Sequence, residues 1–264
     1  MDPDKPFDRR LRRLRRDRAA KRFGEANYLH RLAAEELLAR LDCVKRDFSD
    51  ALDLGGADGF LAARLRGRGL RATCADAGSL FARASRGVQC DEDRLPFAHA
   101  SFDLVVSVGA LDSVNDLPGA LVLIRRALRP EGLFLGAFAG AGTLPRLRSA
   151  LAAAEAAENI GASARLHPQI DVRASGDLLR RTGFALPVAD TDAVTIRFPD
   201  LSGLVRDLRA MAGANLLASR SRRPFTRAGY AAAHADFAAH ADADGKTPER
   251  FEIVYMTGWA PDSA

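Results

Sequence analysis

Short apolar runs alternate with segments of helical periodicity through the first half of the chain. The runs predict strands, and the segments between them repeat apolar residues every three or four positions, as amphipathic helices do. Predicted strands cover residues 51–55, 71–75, 87–90, 102–108 and 133–139, with predicted helices over 60–68 and 116–128 and a turn over 129–132. This alternation is typical of a parallel sheet with crossover helices, so we predict an α/β fold with a doubly wound, Rossmann-like sheet.

The second half of the chain is mainly helical in pattern. Helical periodicity covers 143–158, 175–182, 201–211 and 227–241, and an apolar strand pattern covers 251–259. The predicted units are a basic helical N-terminal extension over 1–45, a core over 46–142, a mainly helical lid over 143–245 with a strand near 184–191, and a final core strand with a tail over 246–264.

The composition fits one large core with a lid. The chain has 264 residues, 47% of them hydrophobic, and no run approaches the ~18 unbroken apolar residues of a membrane span. The N-terminus lacks the apolar core of a secretion signal, and its early acids fit a mitochondrial transit peptide poorly. The three cysteines, Cys43, Cys74 and Cys90, form no metal-binding spacing. We therefore predict a cytoplasmic protein without a membrane span.

The net charge of +5 is concentrated in one segment. Residues 1–22 carry ten lysines and arginines against four acids, and the rest of the chain is close to neutral. One interpretation is a solvated helix held by Phe7, Leu11 and Leu14; the other is a basic cradle for an acidic partner or for nucleic acid. Because no aromatic residues interleave with the arginines, the sequence favours the solvated helix and a protein that does not bind nucleic acid.

A glycine-rich turn follows the first predicted strand. Residues 51–60 read ALDLGGADGF, so Gly55, Gly56 and Gly59 stand between the strand and the next helix. Glycine permits a tight turn and close approach of a ligand to the backbone, and the following helix offers free N–H groups. The turn predicts a nucleotide-like ligand at the carboxyl end of the first strand.

Three acids lie at the ends of successive predicted strands. Asp53 ends the first strand, Asp76 ends the second, and Asp91 follows the third. Because strand ends line the ligand crevice of such a sheet, a carboxylate at 76 can accept from ribose hydroxyls and one at 91 from an adenine amino group. The alternative is that these aspartates cap helices.

The histidines lack the pattern that a metal site requires. They are His30, His99, His167, His234 and His240, and the last two are six residues apart, which does not place them on one helical face. We predict solvated surface histidines and no metal site.

Several motifs together resemble the class I S-adenosylmethionine-dependent methyltransferases. They are ALDLGGADGF, CADA, DEDRLPF, SFDLVVS and LRPEGLFLGAF. Within that superfamily the chain is similar to the complex I assembly factor 5 family, whose mitochondrial member is described as an arginine hydroxylase. The similar segments are FDRRLRRLRRDRAA at 7–20, VNDLPGAL at 114–121, GTLPRLRSAL at 142–151, LLRRTGFALPVADTD at 178–192, LVRDLRAMAGAN at 204–215 and FEIVYMTGWAP at 251–261.

The resemblance implies S-adenosyl-L-methionine as the cofactor. The residues it assigns to cofactor binding are Asp53, Gly55, Gly56, Ala57, Gly59, Asp76 and Asp91, with Asp76 on the ribose and Asp91 on the adenine. The glycine loop departs from the family pattern Asp-x-Gly-Cys-Gly-x-Gly, because Gly56 replaces the cysteine and Ala57 replaces a glycine. A second departure follows the fourth strand, where Asp112 and Ser113 replace the His-Trp pair of many relatives.

Three functions remain open from the sequence and the resemblance. They are a methyltransferase acting on a protein or a carrier-bound group, a complex I assembly factor with an arginine hydroxylase-type activity, and a non-catalytic binding protein. No catalytic residue is identified; the candidates are Asp112, in the altered loop, and Asp207, on a predicted helix whose face is either solvated or a wall above the crevice. The predicted partner is a protein or carrier-protein substrate, with a complex I subunit as one such partner.

Overall fold

Helices enclose a seven-stranded mixed sheet in residues 5–262, the part of the chain that the computed structural model describes. The first four residues of the predicted N-terminal extension and the last two of the predicted tail lie outside this range. The strands are β1 (Asp50–Leu54), β2 (Arg71–Asp76), β3 (Val88–Gln89), β4 (Phe102–Val108), β5 (Leu128–Ala139), β6 (Ala185–Phe198) and β7 (Thr247–Trp259). Their order across the sheet is β3-β2-β1-β4-β5-β7-β6.

The helices follow the strands in the alternation that the pattern predicts. They are α1 (Arg9–Ala20), α2 (Phe23–Ala26), α3 (Tyr28–Asp42), α4 (Phe60–Gly67), α5 (Ser79–Ala84), α6 (Leu117–Ala127), α7 (Pro145–Ala157), α8 (Val172–Arg181), α9 (Leu201–Ala210) and α10 (Arg227–Ala238), with a short 3-10 helix at Leu111–Ser113. Within the described range, none of these helices is both long and apolar enough to cross a membrane.

The predicted doubly wound α/β sheet is confirmed. Strands β1 to β5 pair in parallel, and β7 runs antiparallel between β5 and β6. Leucines of α3 and α4 pack on one face of the sheet, and leucines of α6 and α8 pack on the other. All seven side chains of β4 are buried, because this central strand is covered on both faces.

The predicted turn over residues 129–132 is wrong. Strand β5 begins at Leu128 and includes these residues, and its pairing with β4 shifts register between Phe102 and Leu104. Glu131 adopts a left-handed φ of 57° and its N–H donates to the carbonyl of Ala260 after β7, while the Ala260 N–H donates to the carbonyl of Gly132. The turn-forming residues therefore lie in an irregular part of a strand, which pairing with a distant segment keeps extended.

A helical layer formed by α7, α9 and α10 packs on the ends of β6 and β7. Its apolar contacts join Leu147 and Leu204 to Phe198 and Phe251 of the two strands. Helix α7 begins at Pro145 after a left-handed Leu144, which supplies no side-chain cap. The fully buried Glu249 of β7 takes that role: its carboxylate accepts from the backbone N–H groups of Arg146 and Leu147 at 3.1 and 2.8 Å.

Replacing Glu249 with alanine is expected to lower the free energy of unfolding by roughly 2–4 kcal/mol, because two buried N–H groups lose their acceptor. Urea denaturation followed by circular dichroism measures the change. The surface variant Glu131→Ala serves as the control and is expected to stay within about 0.5 kcal/mol of the wild type. A change for Glu249→Ala as small as that of the control would show that Glu249 does not fasten α7 to the sheet.

Candidate functional site

The glycine turn leads from the carboxyl end of β1 into α4 and lies beside the carboxyl end of β2. Gly55 and Gly59 adopt left-handed φ values of 78° and 75°. The Gly55 N–H donates to the carbonyl of Ala75 at 2.7 Å, which fixes the turn beside the end of β2. A Cβ built on Gly55 would lie 2.3 Å from the Cβ of Ala110, so the turn also packs directly on the loop after β4. Glycine is required here by both conformation and space.

Ala57, the departure from the family loop, adopts a left-handed φ of 43°. This conformation costs an L-residue other than glycine about 1 kcal/mol. The methyl group is buried in an apolar cluster with Phe23 and Phe81, and burial of a methyl group recovers a similar amount of free energy. The Ala57 N–H donates to Asp76 at 3.1 Å. The alanine is therefore built into the turn and into the wall of the adjoining cavity.

Asp76 lies at the end of β2 and is almost completely buried. Its carboxylate accepts from the N–H groups of Ala57 and Gly78 at 3.1 and 2.7 Å, and Arg16 of α1 donates to both of its oxygens. Burial by itself would raise the pKa of Asp76, but the Arg16 guanidinium and the two backbone donors hold this pKa below its ordinary value. The carboxylate predicted to bind a ribose is thus ionised and fully hydrogen-bonded within the chain.

Helix α1 binds four acids near the ends of β2 and β3 through one helical face. The arginines stand at positions i, i+3, i+4 and i+7 of the helix, so they project on the same side. The pairs, which we call the arginine clamp, are Arg9 with Asp93, Arg12 with Glu92, Arg13 with Asp91 and Arg16 with Asp76. The Arg12–Glu92 pair is bidentate, with N–O distances of 2.6 and 2.8 Å, and Arg12 also donates to the hydroxyl of Ser113 at 3.1 Å.

The prediction of a solvated helix held by Phe7, Leu11 and Leu14 is correct for the first two, which pack with Leu216 and Leu217, but wrong for Leu14 and for the solvation of the arginines. Leu14 is 45% exposed, whereas Arg12 and Arg16 are only 3% and 7% exposed. The acidic partner considered as the alternative is present within the chain itself, in the loop that follows β3. Sequence reasoning missed Glu92, which is fully buried, although the run Asp91-Glu92-Asp93 opposite seven clustered arginines was the available signal.

Asp53 lies behind the turn and does not line the cavity. Its carboxylate accepts from the N–H of Ala62 in the first turn of α4 at 3.0 Å, so the helix-capping alternative describes this residue. Burial raises the pKa of Asp53 to about 7, against an ordinary value of 3.8, and the hydrogen bond from Ala62 only partly opposes this.

A cavity of about 210 Å³ opens beside the turn. It is bounded by Ala57, Gly109 and the altered loop, from which Asp112 and Ser113 both contribute. The other catalytic candidate, Asp207, does not line this cavity; its carboxylate accepts from the hydroxyl of Tyr28 at 3.0 Å. The structure therefore brings only Asp112 of the two candidates to the cavity.

Two histidines line the same cavity, contrary to the prediction that they are solvated. His167 accepts from the N–H of Leu216 at 2.8 Å and packs edge-on against Phe7. Both ring nitrogens of His30 are buried without a hydrogen-bond partner in residues 5–262, and burial lowers the pKa of His30 to about 4, so its ring is neutral at pH 7. Helical spacing could have indicated that His30 is buried, because it stands four residues before the buried Ala34 on the inner face of α3.

The described residues contain no group of three or more histidine, cysteine, aspartate and glutamate side chains placed to hold a metal ion.

Comparison with known proteins shows the class to which this fold and site belong. Residues 52–136 match a family described as a methyltransferase domain. The chain is 15% identical to phosphoethanolamine N-methyltransferase 2 of Haemonchus contortus, whose structure contains S-adenosylhomocysteine; the match has a TM-score of 0.52 and covers 86% of this chain and 53% of that one. That likeness shows the fold, and the domain match together with the relatives described next shows that the chain belongs to the class I S-adenosylmethionine-dependent methyltransferases.

Within this class the chain belongs to the group that contains the NDUFAF5 proteins. It is 34% identical to the mitochondrial arginine-hydroxylase NDUFAF5 of Homo sapiens, over 96% of this chain and 76% of that protein. It is also 31% identical to the malonyl-[acyl-carrier protein] O-methyltransferase of Laribacter hongkongensis, over 93% of this chain and 87% of that protein. Two relatives of similar sequence identity are thus named for different reactions, one for arginine hydroxylation and the other for O-methylation of a malonyl-carrier protein.

The chemistry of the crevice suits this cofactor. Asp76 and Asp91 stand at the ends of β2 and β3, the position from which such sheets bind the hydroxyl and amino donors of a nucleoside, although both are held by arginines of α1 and neither lines the cavity. Gly109 ends β4 with a φ of 63°, and among the described residues a Cβ built on it would meet only the His30 ring, at 3.8 Å. The cavity side of Gly109 is therefore open to a ligand.

The raised pKa of Asp53 predicts a pH dependence of stability. The folded chain binds a proton at Asp53 between about pH 4 and pH 7 that the unfolded chain has already released, so the free energy of unfolding falls as pH rises through this window. The slope from this group reaches about 1.4 kcal/mol per pH unit. Asp53→Asn keeps an acceptor for Ala62 and is expected to remove this component, as urea denaturation from pH 4.5 to 8 would show.

The exposed variant Asp47→Asn provides the control, and its curve is expected to follow the wild type. Parallel curves for Asp53→Asn and the wild type would contradict the assignment of a protonated Asp53.

Proposed function

We propose that this protein transfers the methyl group of S-adenosylmethionine to a carboxyl group carried at the end of an extended arm on an acidic protein. The observation that supports this acceptor is a groove of about 790 Å³ that adjoins the cavity beside the glycine turn. Leu144, Leu166 and Leu208 line both spaces, so a substrate arm in the groove would place its end in the cavity.

The floor and the rim of the groove differ in chemistry. Leucines and a valine form the floor, namely Leu144, Leu147, Leu151, Leu166, Val205 and Leu208. Arginines from α1 and α9 stand around it, namely Arg15, Arg18, Arg206 and Arg209. None of these four arginines forms an ion pair with another described residue. An apolar arm that bears an anionic group would bury its apolar part against the leucines of the floor and place its negative charge near the arginines of the rim.

The arginines of the rim repel one another. Burial, followed by the nearby guanidinium groups of Arg220, Arg18 and Arg209, lowers the pKa of Arg15. Like charges held together in this way are stabilised by an anion from outside. The same field opposes an approaching guanidinium group, so the rim favours an anionic acceptor over the arginine substrate implied by the name of the human relative.

The roles proposed for individual residues follow their positions. Asp76 and Asp91 would bind the ribose and adenine of the cofactor, and Gly109 would allow its close approach to the backbone. When bound, S-adenosylmethionine supplies an electrophilic methyl group on its sulfonium. A carboxylate acceptor is already nucleophilic and needs no general base, so positioning carries most of the catalysis. The neutral ring of His30, whose nitrogens have no partner among the described residues, would donate a hydrogen bond to the acceptor in the cavity, whereas the carboxylate of Asp112 would repel an anionic acceptor and would not orient it.

The direct test is intact-protein mass spectrometry of an acidic acyl carrier protein loaded with a malonyl thioester, incubated with the protein and S-adenosylmethionine. We expect the mass of the carrier to rise by one methyl group in place of one hydrogen. A gain of one oxygen on an arginine of a protein substrate would instead support the hydroxylase alternative. Absence of both products, together with no heat in calorimetric titration with S-adenosylmethionine, would support a non-catalytic binding protein.

The groove is tested by charge reversal at its rim. Arg206→Glu with Arg209→Glu is expected to raise KM for the carrier substrate by about tenfold or more, because the anionic partner meets negative charge. Cofactor affinity is expected to stay unchanged, since neither side chain lines the cavity. The matched control is Arg173→Glu, an exposed arginine of α8 away from the groove. An equal rise in KM for the control would assign the effect to net charge and contradict the docking role.

A further inference from the structure

The hydrogen-bonding capacity of Asp76 is used up within the chain. One carboxylate oxygen, Oδ1, accepts from Arg16 Nε and from the Gly78 N–H, both at 2.7 Å. The other, Oδ2, accepts from Arg16 Nη2 and from the Ala57 N–H. Each oxygen of a carboxylate has about two acceptor positions. A ribose hydroxyl can therefore bind Asp76 only where a present donor leaves.

Arg16 is the donor that can leave. The N–H groups of Ala57 and Gly78 belong to the turns after β1 and β2 and are fixed by the backbone, whereas Arg16 reaches Asp76 from a separate helix. Its guanidinium also donates to the carbonyl of Gly55 at 3.4 Å and lies 5.3 Å from the ring centroid of Phe81. Arg16 thus spans the space between the glycine turn and the end of β2.

Helix α1 leaves no gap above this position. A Cβ built on Gly78 would lie 2.8 Å from the Cβ of Arg16, so the helix backbone sits directly on the loop after β2. Asp17, the next residue, accepts from the Leu80 N–H at 2.9 Å and from the Ser79 hydroxyl at 3.0 Å, which fixes α1 to the start of α5. The helix and its arginine together fill the side of the crevice that Asp76 faces.

We propose that helix α1 is an internal competitor of the cofactor: Arg16 occupies the ribose position at Asp76, and S-adenosylmethionine binds only after Arg16 releases this carboxylate. The proposal rests on the assignment of the ribose to Asp76 under the proposed function. It assigns Arg16 a specific action, which is to couple cofactor binding to displacement of the N-terminal helix.

The attachment of α1 suits a displaceable element. Its outward leucine is exposed, and two of its four clamp arginines reach solvent, with side-chain exposures of 25% for Arg9 and 47% for Arg13. The two exposed pairs can be exchanged for contacts to water, whereas the buried pairs Arg12–Glu92 and Arg16–Asp76 can be released only where a ligand supplies new partners for the acids. At the ribose, two hydroxyl donors would take the acceptor positions that Arg16 leaves on Asp76, so the carboxylate would stay fully hydrogen-bonded while losing its counter-charge.

Arg16→Gln tests the competition directly. The variant removes the charge and the bidentate geometry but leaves the Ala57 and Gly78 donors on Asp76. In isothermal titration calorimetry with S-adenosylhomocysteine, we expect Arg16→Gln to bind about tenfold more tightly than the wild type, a coupling within the usual range between two sites. Arg10→Gln, at an exposed position of the same helix, is the matched control and is expected to bind like the wild type.

A second measurement uses the wild-type protein, so that it does not depend on how the variant folds. Hydrogen exchange followed by mass spectrometry is expected to show faster exchange of the amides of residues 9–20 when S-adenosylhomocysteine is bound. Slower exchange there would mean that α1 closes over the cofactor and would overturn the proposal.

The outcomes separate this proposal from the proposed function. Equal or weaker binding by a folded Arg16→Gln variant, with binding by the wild type intact, overturns the competition but leaves the methyltransferase assignment standing. Failure of both proteins to bind at millimolar ligand overturns both, because release of Arg16 would then open no site.

Discussion

Four guanidinium–carboxylate pairs decide how the rest of this site is arranged. Asp76, Asp91, Glu92 and Asp93 lie together at one edge of the sheet, where their charges would repel one another and where burial would penalise each of them. The arginine clamp neutralises all four from a single helical face. Removing one partner of a buried pair costs about 3–5 kcal/mol, because the other charge is left uncompensated. The position of α1 is therefore fixed by electrostatics far more than by its few apolar contacts.

This arrangement gives the basic segment two different tasks. The inner face of α1 holds the clamp, and the outer face presents Arg15 and Arg18 to the groove beside Arg206 and Arg209 of α9. The clamp arginines are paired with acids of the chain, whereas the four arginines at the groove form no ion pair with another described residue and leave a positively charged surface. One helix thus binds the acids beside the glycine turn on one side and lines the groove on the other.

Much of the fold was predictable because the signal is local. The apolar runs at β1, β2 and β4 and the glycine turn after β1 are set by residues adjacent in sequence, and the structure places them as predicted. The extended conformation of residues 129–132 was not predictable, because it depends on hydrogen bonds to the chain after β7. His30 shows the same limit in a side chain: its helical stripe was visible, but the cavity that buries its nitrogens is built by α1, the loop after β4 and α9.

The sequence by itself determined the fold class, because strand and helix order, the turn at Gly55 and Gly59, and acids at the strand ends all follow from local pattern; the class of protein followed from the resemblance of its motifs to a known family. It also located the excess charge in the first 22 residues. Only the tertiary structure decided what that charge binds. Arg16 and Asp76 are 60 residues apart. The sequence pattern predicts a solvated guanidinium for Arg16, but the fold brings Asp76 to it and buries the pair. Ion pairing depends on which surfaces meet, and periodicity along the chain carries no information about that.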